Sequence, residues 1–371
     1  MAKRILLVGG GSGGHVFPLM AVASSLRALD PSVDLMVLGE GPFLAQACAD
    51  NNLSYKTILA GKLRRYFSLW SLLDPFKLII GFFQSLWILF WYMPDAVFTK
   101  GGYVSVAPAL VAWLYFIPIR THESDSVPGA ANRFIGHLAK TVFTAFESAG
   151  AYLNKSKVML VGNPVRSDIL SGDRSAALQQ FNLRADRKTI FVAGGSQGAK
   201  RVNDIVLESL IFMVKDYQVI HQCGESQLQA VKAVIDQYEK EGGQSYGPMI
   251  QANYRLYPFL PAGQMALAYA AADAVISRAG AGSIAEIAAL GKPAVIIPLS
   301  REASRGDQIQ NALEFAKYGA VVIEEANLTS HILINQIQNL LEPANEQAVS
   351  AKIKTFAKLD AADRIAQVLI Q

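Results

Sequence analysis

A chain of 371 residues that is 51% apolar and 17% charged is too hydrophobic for intrinsic disorder and long enough for two domains. Its formal charge of +4 is too small for a dense nucleic-acid-binding face, so no nucleic-acid partner is expected. The two cysteines, Cys48 and Cys223, are far apart and lack metal-ligand spacing, which argues against a disulfide framework and fits a reduced, cytosolic compartment.

The amino terminus carries Lys3 and Arg4 ahead of apolar residues, as a signal peptide would. The apolar run stops at Val8, however, and the glycines behind it cannot continue a targeting segment, so 5–8 is predicted as a buried first strand. "GGGSGGH" follows at 9–15. A glycine turn between a strand and a helix presents free N–H groups and a partial positive charge to an anion such as phosphate. Phosphate alone does not account for His15. A second strand is predicted at 34–38, and Glu40 behind it keeps a dinucleotide enzyme open on spacing.

Residues 62–93 stand out. Lys62, Arg64, Arg65, Tyr66, Phe67 and Trp70 precede "FKLIIGFFQSLWILFWYM" at 76–93, which has one charge and seven aromatics in 18 residues. Its length approaches a bilayer span. A single crossing would put the strands at 5–8 and 96–99 on opposite sides of a membrane, which one sheet forbids. Lys77, Gly81, Gln84 and Ser85 form one narrow polar stripe at helical spacing. A helix lying in the membrane interface is therefore expected, with Lys62, Arg64 and Arg65 on anionic lipid heads and Trp70, Trp87 and Trp91 in contact. The alternative is a core helix packed on the sheet.

Strands are predicted next at 96–99, 117–121 and 141–144. "KGGYVS" at 100–105 is another glycine turn. In "THESDSVPGAANR", 121–133, His122, Glu123, Asp125 and Asn132 could line a cleft, or the segment is an ordinary polar loop leading into a helix. "VGNPVRSDIL" at 161–170 contains Asn163-Pro164, which breaks regular structure and marks a seam. Beyond it "KTIFVAGGSQGAK" at 188–200 repeats the pattern of "RILLVGGGSGGH" at 4–15, and strands follow at 189–193, 218–221, 274–277 and 294–298. The pattern predicts an α/β chain of two doubly wound Rossmann-like domains, 1–164 and 165–349, with the helical segment 350–371 a candidate to join the first.

In "SRAGAGSIAEIAALGKP", 277–293, Glu286 sits early in a helix, where it could accept hydrogen bonds from ribose hydroxyls or merely favour the helix amino terminus. "RGDQIQNALE", 305–314, offers Asp307, Gln308 and Asn311, and amides suit sugar hydroxyls because they donate and accept. His137, His221 and His331 read as structural, and no cluster has metal-ligand spacing.

Together, "GGGSGGHVFP", "KGGYVSVAP", "HESDSVPGAANR", "GNPVR", "GGSQGAKRVN", "SRAGAGSIAEIAALGKP" and "DQIQNA" resemble the MurG family of membrane-associated transferases, in the family's order and over roughly residues 5–312. The resemblance implies the GT-B fold, two domains facing a cleft. It implies an inverting transfer of N-acetylglucosamine from UDP-N-acetylglucosamine, a substrate, to lipid I, with no cofactor and no metal. It places the chain peripherally on the cytoplasmic face of a bacterial membrane.

By position, Ser12, Gly13 and Gly14 match the glycine loop that also reaches the donor, and His15 matches the proposed general base. Arg166 and Ser196 match residues near the donor diphosphate, Leu260 the backbone that reads uracil, and Ala281, Gly282, Ser283, Ile284, Ala285 and Glu286 the diphosphate and ribose segment. Gln308 matches the reader of sugar hydroxyls, and Asp125 a donor contact. Gly101, Gly102, Tyr103, His122 and Asn132 fall on the acceptor side. The chain departs from the family in carrying Asp125 where many members have Asn, Asp307 where Gln is frequent, and a far more apolar 76–93. A diacylglycerol glycosyltransferase, a sugar-nucleotide epimerase and a non-catalytic nucleotide-sugar binder remain as alternatives.

Overall fold

The computed structural model describes every residue except 1, 11–12, 62–73, 196–197, 242, 302–303 and 305, and the side chains of 75 and 243–245. The expectations for Ser12, Lys62, Arg64, Arg65, Trp70 and Ser196 thus concern residues outside those described. The chain forms two units, one of Met1–Arg166 with Lys358–Gln371 and one of Ser167–Ala357.

In the first unit, seven strands lie parallel: β1 (Arg4–Gly10), β2 (Asp34–Glu40), β3 (Ser54–Thr57), β4 (Ala96–Thr99), β5 (Ile119–Glu123), β6 (Thr141–Thr144) and β7 (Val158–Leu160). Their order is β3-β2-β1-β4-β5-β6-β7. Alternation along β1 sends Ile5 and Leu7 to one face and Leu6 and Val8 to the other, and both faces are covered. Helices Gly13–Leu29 and Ala361–Ile370 share the first face. Ile365 and Leu369 are fully buried there. At about 1.5–3 kcal/mol per large side chain, they hold the returning carboxyl-terminal helix in place.

The second unit has β8 (Thr189–Ala193), β9 (Gln218–Gln222), β10 (Tyr254–Tyr257), β11 (Ala274–Ser277), β12 (Ala294–Ile296) and β13 (Val321–Val322), in the order β10-β9-β8-β11-β12-β13. Ile190 and Val192 face one core, Phe191 and Ala193 the other. The helix Pro343–Lys354 stays with this unit, and the chain re-enters the first unit at Lys358.

Strand order reverses between β1 and β4 in one sheet and between β8 and β11 in the other. Successive crossovers leave in opposite directions at such a point, so the carboxyl ends of the two strands open a crevice where ligands of this architecture bind.

Two strands stop short of expectation at one end. β5 starts at Ile119, not 117, because Pro118 has no N–H to give and Phe116 turns the chain at φ 57°. β12 ends at Ile296, and the next two carbonyls, of Ile297 and Pro298, accept from Arg278 instead.

The helix Asp74–Tyr92 packs on the first unit. Its polar stripe faces the protein: Gly81 and Ser85 are buried, Ser85 Oγ donates to the Gly81 carbonyl, and Gln84 Oε1 accepts the Leu59 N–H at 2.8 Å. A Cβ on Gly81 would stand 2.1 Å from the Leu59 carbonyl oxygen, so only glycine allows this approach. The outward face carries Phe76, Ile79, Ile80, Phe83, Trp87, Phe90 and Trp91, with Trp87 and Trp91 67% and 66% exposed. Beside it, at the end of helix Val106–Leu114, Trp113, Leu114 and Phe116 are exposed as well. Among the described residues no helix is long and apolar enough to cross a membrane.

Candidate active site

In the first unit, the reversal point gathers three segments. His15 lies in the opening turn of helix Gly13–Leu29, the first helix after β1. β4 runs into Lys100, Gly101 and Gly102, and β5 ends on His122 and Glu123. Gly101 and Gly102 adopt φ of 80° and 78°, a left-handed bend that side chains resist. A Cβ on Gly101 would lie 2.3 Å from Asn132 Oδ1. The bend thereby lets Asn132 pass beneath the turn.

His15 Nδ1–H donates to the Lys100 carbonyl at 3.3 Å, which leaves the lone pair on Nε2. Burial, aided by the Lys100 charge, lowers the His15 pKa from 6.5 to about 4. The Lys100 ammonium is itself buried. It donates to His122 Nδ1 at 2.8 Å and to Ser124 Oγ. Desolvation brings Lys100 down to about 8 against the favourable pull of Glu123 and Asp125. His122 is fully buried, and its Nε2–H donates to the Gly162 carbonyl at 2.9 Å. Burial and the adjacent ammonium hold its pKa well below the ordinary value.

Glu123 is the hub of the loop behind β5. One carboxylate oxygen accepts the Asp125 N–H at 2.9 Å, and the other accepts from the Gly129 N–H and from Asn132 Nδ2. Asn132 Oδ1 in turn accepts from Thr121 Oγ1 at 3.0 Å. Burial and the Asp125 carboxylate push the Glu123 pKa up. Arg166 lies over the Phe17 ring at 4.1 Å.

In the second unit, the turn after β8 and the turn after β11 border an open cavity of about 580 Å³ lined by Gly198, Lys200, Arg201, Arg278, Leu299 and Gln308, among others. Gly198, at φ 78°, brings the turn against the Cys223 carbonyl, which a Cβ would meet at 2.6 Å. Arg278 is tethered by Glu325 at 2.6 Å, Gln308 Oε1 accepts the Leu299 N–H at 3.2 Å, and the buried Asn311 donates to the Ala279 carbonyl. Helix Ala281–Leu290 starts in this region. Glu286 accepts from the Tyr269 hydroxyl at 3.2 Å. Cations and amides around a cavity beside helix amino termini suit a diphosphate and a sugar.

Residues 5–144 match the glycosyltransferase family 28 N-terminal domain, and residues 189–365 match the glycosyltransferase family 28 C-terminal domain. A UDP-N-acetylglucosamine–N-acetylmuramyl-(pentapeptide) pyrophosphoryl-undecaprenol N-acetylglucosamine transferase of Bacillus anthracis is 36% identical over 95% of both chains. The corresponding transferase of Legionella pneumophila is 34% identical over 100% of this chain and 97% of its own. The crystal structure of Acinetobacter baumannii MurG superposes with a TM-score of 0.74, at 26% identity over 99% of both chains. The chain belongs to the MurG family of glycosyltransferases. Its two parallel-sheet units are those of the GT-B fold. A UDP-N-acetylglucosamine 2-epimerase of Neisseria meningitidis, at 14% identity and a TM-score of 0.71, shares that fold and shows no more than the fold.

Against the positions matched to the MurG family, the first unit brings His15, Gly101, Gly102, His122 and Asn132 together around Lys100. Tyr103 opens the next helical turn, and Gly13 and Gly14 lead into His15. His122 and Asn132 are buried with their polar atoms on protein partners, so they support the turn from below. Asp125 is half-buried in the loop wrapped on Glu123. In the second unit Ala281, Gly282 and Ser283 form the first helical turn, of which Gly282 and Ser283 are partly exposed and Ala281 is buried; Ile284, in the core beneath it, and Ala285 are buried as well. Leu260 is buried, and its N–H donates to Gln222 Oε1 at 3.2 Å. Sequence reasoning passed over two residues, Lys100 and Arg278. Each is a cation directly following a buried strand and preceding small residues, which was the available signal.

Proposed function

We propose that this chain transfers N-acetylglucosamine from UDP-N-acetylglucosamine to the C4 hydroxyl of lipid I, with inversion, making lipid II for peptidoglycan. Membership of the MurG family over 95% of the chain carries this reading. His15 is the base: the neutral imidazole, hydrogen-bonded through Nδ1, takes the hydroxyl proton on Nε2 as oxygen attacks the anomeric carbon. The glycine turn ahead of it offers N–H groups to a diphosphate.

The donor falls to the second unit. N–H groups of Ala281–Ser283, with Arg278 and Lys200 nearby, balance the charge of departing UDP; Glu286 holds the ribose, Gln308 the sugar and the Leu260 backbone the base. These groups do the work without cofactor or metal. The exposed face of helix Asp74–Tyr92, with Lys62, Arg64, Arg65 and Trp70 ahead of it in sequence, seats the enzyme peripherally on the anionic cytoplasmic leaflet.

The test is transfer of labelled N-acetylglucosamine to lipid I, with diacylglycerol as the competing acceptor. Labelled diacylglycerol with unlabelled lipid I would overturn the assignment.

A further inference from the structure

Lys100 has no task in the transfer as described, yet it is among the largest fully buried side chains of the protein. Burying an ammonium is costly unless it is held, and here the holding is specific. Nζ meets two neutral acceptors, His122 Nδ1 at 2.8 Å and Ser124 Oγ. Because His122 Nε2–H is committed to the Gly162 carbonyl, Nδ1 has only a lone pair to offer, so Lys100 is the donor of that bond. Ser124 then donates to Asn163 Oδ1 at 3.2 Å. One ammonium thus ties β4 to the end of β5 and to the segment after β7. The same residue receives His15 Nδ1–H on its carbonyl.

We infer that Lys100 is the positioning residue of His15: its carbonyl fixes the tautomer that leaves Nε2 as acceptor, and its ammonium, pinned between His122 Nδ1 and Ser124 Oγ, sets a positive charge in the cluster that holds the ring. The inference rests on the reading of His15 as base. The ionisable groups around this ammonium are His15 from the helix after β1, His122 and Glu123 from β5, and Asp125 from the following loop; Lys358 packs its stem on Gly162. The two carboxylates stabilise the ammonium, and the ammonium disfavours imidazolium at both histidines. Together with desolvation, which is the larger influence on the ring, this yields a base that stays neutral in the acidic range and keeps one tautomer.

The test uses the full chain labelled at histidine Cε1, with His15→Gln to assign the His15 signal. Lys100→Met keeps the stem and the carbonyl and removes the charge. Its fold is checked by UDP binding and thermal unfolding. The His15 midpoint should rise by about one pH unit or more, the usual size for loss of a nearby like charge. The acid limb of kcat/KM should rise with it, and Lys100→Arg should leave both low. An unmoved His15 midpoint in folded Lys100→Met overturns the inference. A midpoint that moves while the limb stays supports the action of Lys100 on the ring and instead removes His15 as the base. Should Lys100→Met not fold, the wild type decides: the His15 signal should shift with a midpoint of about 8 as Lys100 loses its proton, and a flat signal there overturns the inference.

Discussion

The two units share a topology and bury different chemistry beside it. At the first reversal point, four ionisable side chains crowd together: His15, Lys100, His122 and Glu123. Burial and the Lys100 charge hold both histidines neutral, burial and the neighbouring Asp125 carboxylate push Glu123 up, and desolvation brings Lys100 down to about 8. In the second unit the ionisable groups lining the cavity are three cations, Lys200, Arg201 and Arg278, and one carboxylate, Asp204, which pairs with Lys200 at 3.8 Å; the amide of Gln308 joins them. Its buried histidine, His221, is sealed between Tyr254 at 2.6 Å and Asn203 at 3.0 Å, with its pKa down to about 3. On the proposed function, the first site moves a proton and the second holds fixed charge. The fold is common to both, and the difference lies in a few residues at strand ends.

Removing His15 should break the comparison most severely. His15→Ala should lose about 10²–10⁴ in kcat, the usual contribution of a general base, while UDP affinity measured by calorimetry stays within experimental error. Near-normal kcat would sink the assignment and turn attention to Asp125. The reverse pattern belongs to Glu286. Its carboxylate is oriented by Tyr269, and hydrogen bonds to a charged acceptor are worth about 1.5–3 kcal/mol each. Glu286→Ala should weaken UDP binding about tenfold to a hundredfold. Unchanged affinity in a folded variant would mean that Glu286 does not contact the nucleotide.

What the sequence revealed follows the same physics. The nine strands predicted from apolar runs all exist, because each lies inside a sheet and is buried on both faces. The four that escaped, β3, β7, β10 and β13, are the four sheet edges. β3 reads Ser-Tyr-Lys-Thr with only Tyr55 partly covered, and β13 has two residues, so neither carries a hydrophobic run to detect. The glycine turns and their neighbours were legible because they are local in sequence. The Lys100 network was not: it joins residues 22 and 63 positions apart through contacts that only the sheet order creates. Helix Asp74–Tyr92 was only half legible, for a different reason. A polar stripe of Gly81, Gln84 and Ser85 has the period of a solvent face, yet small residues equally permit a close approach to backbone, and here they do.

That outward apolar face gives a third prediction. Trp87 and Trp91 stack edge to face at 5.7 Å, well exposed, and each would leave water on entering a lipid interface. Burying a side chain of this size contributes about 1.5–3 kcal/mol, less where burial is partial. Replacing both by Ser should lower partition to anionic vesicles about tenfold, with UDP binding untouched. Undiminished sedimentation with vesicles would place the membrane contact elsewhere in the first unit.

The smallest effect is the most discriminating. If His15 is the base, activity must fall as pH drops through its pKa, since only neutral imidazole accepts the proton. An ordinary histidine would put that limb near 6.5; burial here puts it at about 4. The kcat/KM of the wild type should therefore change by less than about twofold between pH 7 and 5.5, where an unshifted base would lose about tenfold. The limb for kcat should lie higher than that for kcat/KM, because a bound diphosphate favours imidazolium. Stability imposes a separate limit. His15, His122 and His221 have folded-state pKa values below the unfolded value, so their contribution is complete above about 6.5 and is lost as pH falls from there toward the folded values. Each costs up to about 1.4 kcal/mol per pH unit in that window. Two of the three lie in the first unit, so acid should loosen that unit first. Circular dichroism at each pH separates the two losses. A limb near 6.5 in a protein still fully folded would show that the group controlling activity is not the half-buried His15 of this site.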